Sequence, residues 1–424
     1  MKRLLNVGIM SAPAITFTLQ GGYTFNGKTY EGEYVATMNN GKVCFDGDEY
    51  DELCFSGGAS FTLHGVTIGV NFHWQREEEQ TFKGNLRIIS GHDKVLYKEA
   101  ALIAINIIDV EDYLTSVISS EMAATSSMGL LKAHAIISRS WLLHPILNPH
   151  KSTESFAGTQ HLQVAGSTSL QQEGDRHIKW YERDAHKLFD VCADDHCQRY
   201  QGITKQTSVN VQKAIDATRG VVLVSTDSGE VCDARFYKCC GGKTEEFETC
   251  WADEHYPYLE SVEDTYCNTN DRRILQQVLN NYDQETLDFH DWSVSYTQEE
   301  LSELIRERSG IDFGEVQELI PVKRGPSGRI YELKIVGTKR TMAVGKELEI
   351  RKWLSHSHLY SSWFDVEKTT SDGETTFTLH GHGWGHGVGL CQIGAAVMAD
   401  KGFTYEQILK HYFPNTRLEE LVGN

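Results

Sequence analysis

The sequence predicts an α+β fold, and three observations lead there. The first hundred residues alternate apolar and polar side chains between Gly, Asn and Asp turns. From Val110 to Leu143 the period becomes helical. Beyond that, strands and helices follow one another without a repeat period or regular βαβ alternation.

Runs such as ITFTL, SFTLHGVTIGV and NLRIIS, between Leu5 and Ile108, have the alternation of antiparallel strands. Met128, Leu131, Ala135 and Leu142 then recur at helical spacings, which predicts a helix of about 15–18 residues stopping before Pro145. Residues 146–180 are polar and aperiodic, a long connection or insertion. SVNVQKAIDATRGVVLVS reads as a helix, a turn at Arg219 and Gly220, and a strand, with another strand from Val231 to Tyr237. TQEELSELIRERSG carries a capping box, Thr297 with Glu300, and ends at Gly310 like a short helix. RIYELKIVG, TMAVGKELEI and TTFTLHG read as strands, followed by a Gly-rich turn and two helices, the second capped by Thr404 with Gln407. The division expected is a β-rich part over 1–105 and a second region over 106–424, with the insertion at about 146–185.

Composition narrows the function classes. With 424 residues, 40% of them hydrophobic and 10% aromatic, the chain can bury a sizeable core. A net charge of -19 without any long Lys or Arg run excludes a footprint for nucleic acid. No stretch approaches the roughly 18–20 apolar residues of a membrane helix, so no integral membrane segment is expected. The start, MKRLLNVGIMSAPAITFTL, reads as structure and not as a signal peptide, because Asn6 and Gly8 interrupt its apolar run. Ten cysteines are too sparse here for a disulfide scaffold, so local chemistry is expected of some of them.

Three stretches carry candidate chemistry. In EDYLTSVISSEMAATSSMGLLKAHAIISRSW, Glu121 stands between an apolar run and a helix, where a carboxyl suits a general acid or simply serves the helix and solvent. Lys132 and Arg139, two turns apart, either hold an anionic or polyhydroxyl ligand or form a solvated face. In HGHGWGHGVGLCQIGAAVMADKG, five glycines from Gly381 to Gly389 let backbone approach a ligand closely. His380, His382 and His386 there read as hydrogen-bonding or packing histidines, because no carboxylate or Cys stands at ligand spacing. Trp384 offers a flat face for a sugar ring or belongs to the core. HKLFDVCADDHCQRYQG supplies His186, Cys192, His196 and Cys197, a full tetrahedral set for a structural zinc, although buried thiols beside surface histidines give the same letters. Cys232, Cys239, Cys240 and Cys250 are less organised: the adjacent pair in FYKCCGGKTEEF reads as buried thiols, with a second metal site as the alternative. No GxSxG elbow, P-loop, HExxH or dinucleotide fingerprint appears.

Taken together these stretches resemble the stage II sporulation protein D and amidase enhancer (SpoIID/LytB) family of peptidoglycan lytic transglycosylases and their relatives. VEDYLTSVISSEM with LLKAHAIISRSW, DVCADDHCQRYQG, AIDATRGVVLVS with VCDARFYKCCGGKTEE and WADEHYPYLESV, and GHGWGHGVGLCQIGAAVMADKGFTYEQILKHYFP match in order, with RIYELKIVG and IRKWL fitting the family's strands. The resemblance implies that Glu121, in the family's Ser-Glu-Met motif, is the catalytic acid and base. It further implies that Lys132, Arg139, Tyr237, Trp384, His386 and Gln392 bind the glycan. Zinc is implied at His186, Cys192, His196 and Cys197. The partners implied are peptidoglycan glycan strands and, for the enhancer branch, a cell-wall amidase. Members usually act outside the cytoplasm.

Overall fold

A computed structural model describes residues 3–68, 76–91, 101–123, 125–148, 168–173, 175–181, 186–194, 196–204, 208–279 and 289–421. Their helices are α1 (Val110–Glu121), α2 (Met128–Leu147), α3 (Val209–Ala217), α4 (Phe247–Cys250), α5 (Arg272–Val278), α6 (Gln298–Ser309), α7 (Glu347–Trp353), α8 (Gln392–Asp400) and α9 (Tyr405–Tyr412). With strands throughout, the fold is α+β. The chain divides into two units, Met1–Ala124 with Arg183–Gly220 and Val422–Asn424, and Thr125–Glu182 with Val221–Leu421.

Alternating side chains build the first unit. Ile15, Phe17 and Leu19 are fully buried while Thr16 and Thr18 turn toward the other face, the pattern of antiparallel strands with one face on a core. One sheet runs Asp48–Tyr50, Lys42–Phe45, Lys28–Asn39, Ala14–Phe25, Ser60–Ile68, Arg76–Phe82. The rings of Phe17, Phe25, Phe45 and Phe55 gather at 5.3–6.3 Å. A second sheet runs Val191–Cys192, Leu4–Ala12, Ala101–Asp109, Asn85–Gly91, Glu52–Phe55. Helix α1 leaves it directly: the Asp109 carboxylate accepts the Glu111 N–H as cap, and Tyr113, Leu114, Val117 and Ile118 are buried.

In the second unit, a sheet runs Thr168–Glu173, Arg176–Tyr181, Thr341–Gly345, Ile330–Gly337, Val316–Arg324, and another Asp291–Thr297, Glu374–His382, Phe364–Ser371. With α6 and α7 they enclose a core that includes Trp292, Leu301, Ile305, Phe313, Ile335, Trp353 and Leu379. Both expected capping boxes are present, Thr297 with Glu300 on α6 and Thr404 with Gln407 on α9, and Gly310 closes α6 in the left-handed conformation.

Four local expectations are corrected. The helical stretch is two helices, since Met122 is extended and Ser127 caps α2, and α2 continues through Pro145. Thr168–Glu173 and Arg176–Tyr181 form a hairpin within the polar insertion, whose residues 149–167 lie outside the described ones. The expected strand at 231–237 shrinks to Phe236–Tyr237, with a single bridge at Val231. The end of TMAVGKELEI, with IRKWL, is α7 and not strand. Glu347 and Glu349 near its start and Arg351 and Lys352 near its end complement the helix dipole, and Ile350 and Trp353, three apart, enter the core.

Helix α7 also supplies a buried charge. Burial alone would raise the Glu349 carboxyl, but the His177 hydrogen bond at 3.2 Å, the Lys179 ammonium and the Tyr181 hydroxyl at 2.7 Å outweigh it and hold the group below its usual range. A carboxylate depressed in the folded state stabilises above its unfolded pKa and loses that contribution as pH falls through the folded value. Glu349→Gln is therefore expected to weaken the fold near neutral pH and to flatten its loss of stability in acid. Urea midpoints across an acid pH series read both effects.

Candidate functional site

Glu121 is the last residue of α1, partly exposed, and among the described residues its carboxylate has no hydrogen bond or ion pair. The helix that carries it is rigidly held. Thr115, Ser119 and Ser120 hydroxyls donate to carbonyls one turn back, Ser116 Oγ accepts the Gln201 N–H at 3.3 Å, and Glu111 accepts the Gly220 N–H at 3.2 Å. Glu121 belongs to the first unit, and Lys132, Arg139, Tyr237, Trp384, His386 and Gln392 to the second.

Lys132 and Arg139 share α2 but not an environment. Lys132 is partly exposed, its ammonium 5.4 Å from the Tyr405 ring centre. Arg139 is 1% exposed and donates to the Val221 carbonyl at 2.9 Å. From Ala133 to Leu143 every residue of α2 is buried, so the seven-residue spacing does not make a solvated face.

Gln392 is 1% exposed and lies 3.0 Å from Nε2 of His134, whose Nδ1 faces the Ser138 hydroxyl at 3.2 Å. Burial, and then the Lys238 charge, push His134 down to about 3, so the ring is neutral. The network assigns the Gln392 amide as donor to Nε2 and the His134 Nδ1–H as donor to Ser138. Gln392→Ala leaves that imidazole nitrogen buried without its partner, and a loss of about 1–3 kcal/mol is expected. Urea unfolding checks it.

The glycine-dense turn is filled by the protein's own groups, which corrects the expectation of a ligand against its backbone. A Cβ on Gly387 would stand 2.6 Å from the Arg329 guanidinium carbon, and one on Gly389, at φ +83°, 2.2 Å from the Arg235 carbonyl oxygen. Arg329, fully buried, donates to the carbonyls of Gly385 at 3.1 Å and Cys240 at 3.2 Å and so ties two turns together. Its only signal in the sequence is a cation opening the apolar run RIYELKIVG.

His386 is likewise committed. Its Nε2–H donates to the Phe236 carbonyl and its Nδ1 accepts the Val388 N–H, both at 3.0 Å. Burial, followed by the Arg235, Arg329 and Arg351 charges, holds the ring well below its usual range. It borders a cavity of about 70 Å³ with Tyr181, Cys250, Trp251, Glu347, Leu348 and Arg351. The Tyr237 ring packs on it at 5.3 Å, and the buried Tyr237 hydroxyl has no hydrogen-bond partner among the described residues. Trp384, partly exposed, stacks on Phe289 at 4.8 Å and meets Tyr360 edge-on at 5.3 Å. His382 pairs with Asp291 at 2.6 Å and His380 with Glu367 at 3.0 Å, which agrees with their reading as hydrogen-bonding histidines.

The structure gathers His186, Cys192, His196 and Cys197, with all four ligand atoms within 4.8 Å of one another. Cys192 is placed by its strand pairing with Gly8, and the Phe189 ring occupies the space where a Gly8 side chain would stand. Ile89, Ile103 and Ile105 complete an apolar floor with Phe189 and Cys192. Ligands ~2.0–2.3 Å from a tetrahedral zinc stand ~3.3–3.8 Å apart, which this gathering accommodates.

The comparisons with known proteins divide along the chain. Residues 98–224 match the model of a family described as stage II sporulation protein, and residues 245–389 match a domain of unknown function, DUF8618. The chain is 24% identical to the stage II sporulation protein D of Bacillus subtilis over 318 residues, covering 74% of this chain and 75% of that one. A SpoIID region therefore occupies residues 98–224 of the chain. Another relative, an uncharacterised protein of Brachyspira hyodysenteriae, is 25% identical over 94% of this chain and 88% of its own length. The amidase enhancer of Bacillus subtilis is 26% identical over 49% of this chain and 32% of its own length. The SpoIID match contains Glu121, α2 and the His/Cys cluster, whereas His386 lies inside the second match and Tyr237 and Gln392 stand just outside its two ends. No helix among the described residues is long and apolar enough to cross a membrane.

Proposed function

We propose that the chain is a peptidoglycan lytic transglycosylase, with Glu121 as both acid and base. The observation that carries the reading is the state of Glu121: partly exposed and unpaired among the described residues, at the end of a helix fixed along its length. A structural carboxylate spends its oxygens on the fold, as Glu111 and Glu349 do; this one is free to meet a ligand. The SpoIID match and the sporulation relatives support the coarser part, a cell-wall related role.

The chemistry needs one carboxyl group. Glu121 gives its proton to the oxygen joining N-acetylmuramic acid to N-acetylglucosamine, and that glycosidic bond breaks toward the leaving sugar. The carboxylate then takes the proton from the muramic C6 hydroxyl, whose oxygen bonds to its own anomeric carbon and closes a 1,6-anhydro ring. Atoms balance without water. Ordinary glycosidases use a second carboxylate to activate water or attack the anomeric carbon; here nucleophile and electrophile share one sugar, and proximity replaces it.

Lys132 and Trp384, both partly exposed, are assigned to glycan contact, and the buried Arg139, Tyr237 and Gln392, with the hydrogen-bonded His386, to positioning. Zinc at His186, Cys192, His196 and Cys197 belongs to the same proposal as a structural ion. When bound it supplies a cross-link, and four protein ligands leave no open position for a water nucleophile. The likeness to an amidase enhancer supports a cell-wall amidase as a partner.

The test is mass spectrometry of purified glycan strands, with and without stem peptides, after incubation with the protein. Products lighter by one water than their hydrolysed counterparts are expected. Strands bound but left uncut would overturn the enzyme reading in favour of a non-catalytic enhancer.

A further inference from the structure

We propose that Cys240, Asp264, Cys267 and Cys391 form a second zinc site, closed by protein ligands, that fastens the two ends of the 245–389 segment. Their four ligand atoms lie within 4.8 Å of one another and none of the four residues is more than 2% exposed. Cys240 Sγ is 3.2 Å from Asp264 Oδ2 and 3.1 Å from Cys267 Sγ, and Cys391 Sγ accepts the Cys240 N–H at 3.3 Å.

The carboxylate makes this more than a group of packed thiols. A buried free cysteine behaves as a small hydrophobe and needs no partner. A buried carboxylate must be compensated, and a cation is the usual means. Asp264 Oδ1 accepts the Tyr266 N–H and Oδ2 the Tyr412 hydroxyl, both at 2.8 Å, but both donors are neutral. Among the described residues no Lys, Arg or His nitrogen stands in ion-pair range of Asp264, although the protein pairs many carboxylates elsewhere. What stands beside it is sulfur. A zinc ion gives the carboxylate its counter-charge and uses the thiols as ligands, their protons passing to solvent as the ion binds. Asp264 and Cys267 also keep the offset of the C-x2-C pairs found in zinc modules. His290, against Cys267 and 2.7 Å from Asp291, is placed as an outer hydrogen-bonding partner.

Topology gives the ion a task. Phe236–Tyr237 and Leu390–Cys391 pair in parallel, with Tyr237 opposite Cys391. Between these strands runs the segment matched at 245–389, so Cys240 and Cys391 stand on its two stems while Asp264 and Cys267 lie within it, between Pro257–Leu259 and α5. One ion thereby joins the entry, the exit and an internal turn of a long excursion, where loop closure costs most entropy. This is independent of the catalytic reading.

Metal analysis tests it on the full chain, purified under reducing conditions with zinc and then freed of excess metal. Two zinc ions per chain are expected in the wild type, one in Cys197→Ser, one in Cys267→Ser and none in the double variant. Native mass spectrometry of the wild type alone must show the same two ions, which keeps the test valid should Cys267→Ser fail to fold. The proposal is overturned if the wild type holds no zinc beyond what Cys197→Ser loses. It is equally overturned if Cys240 and Cys267 are found joined as a disulfide in protein kept reduced.

Discussion

Glu121→Gln is expected to lower the release of anhydro ends from glycan strands by about 10²- to 10⁴-fold, the usual share of general acid catalysis. The amide keeps the size of the side chain but cannot give up or take the proton on which both half-steps depend. The fold should not notice the change, because Glu121 is partly exposed and unpaired among the described residues. Surface substitutions away from such contacts are usually within about 0.5 kcal/mol. Retained glycan binding, an unchanged urea midpoint and a collapsed rate would together separate a lost proton donor from a damaged protein. If the variant works at the wild-type rate, Glu121 is not the acid.

Removing zinc from the His186, Cys192, His196 and Cys197 cluster is the second large effect expected. An ion that binds only the folded chain stabilises it by about 4 kcal/mol when free metal stands a thousandfold above Kd. For a unit of this size that corresponds to roughly 8–16 °C in Tm. The loss should first reach the strand at Val191–Cys192 and the Phe189 ring on Gly8, since these link the cluster to the five-stranded sheet. Thermal unfolding of Cys197→Ser beside wild type, each with zinc and with chelator, reads it. Wild type should lose more on chelation than the variant, which has only the Cys240 site left to lose. A chelator that halted glycan cleavage at once while the fold stood unchanged would instead mean an open, catalytic metal, contrary to four protein ligands.

What could be read from the sequence follows the range of each signal. The capping boxes at Thr297 and Thr404 are written within four residues, and both are in the structure. The strand alternation of the first hundred residues is equally local. The His186 to Cys197 cluster was legible because its members fall within a dozen residues. The gathering at Cys240, Asp264, Cys267 and Cys391 was less so, since its ligands come from three stretches that meet only through long-range pairings such as Tyr237 with Cys391 and Lys243 with Glu263. Spacing misled on α2, where Lys132 and Arg139 share a helix that tertiary packing buries on every side from Ala133 to Leu143. Composition misled at the glycine-dense turn: small residues announce that something comes close, but not that it is Arg329 and the Arg235 carbonyl. IRKWL misled because its apolar residues fit a strand as well as a short helix; Lys346, extended ahead of α7, begins the helix instead.

Cleavage of the glycan without water can be read by digesting purified strands in water labelled with heavy oxygen. New ends that carry a 1,6-anhydro ring and no label are expected. Label at the newly formed reducing ends would show that water had attacked, and the single-carboxyl mechanism at Glu121 would be wrong.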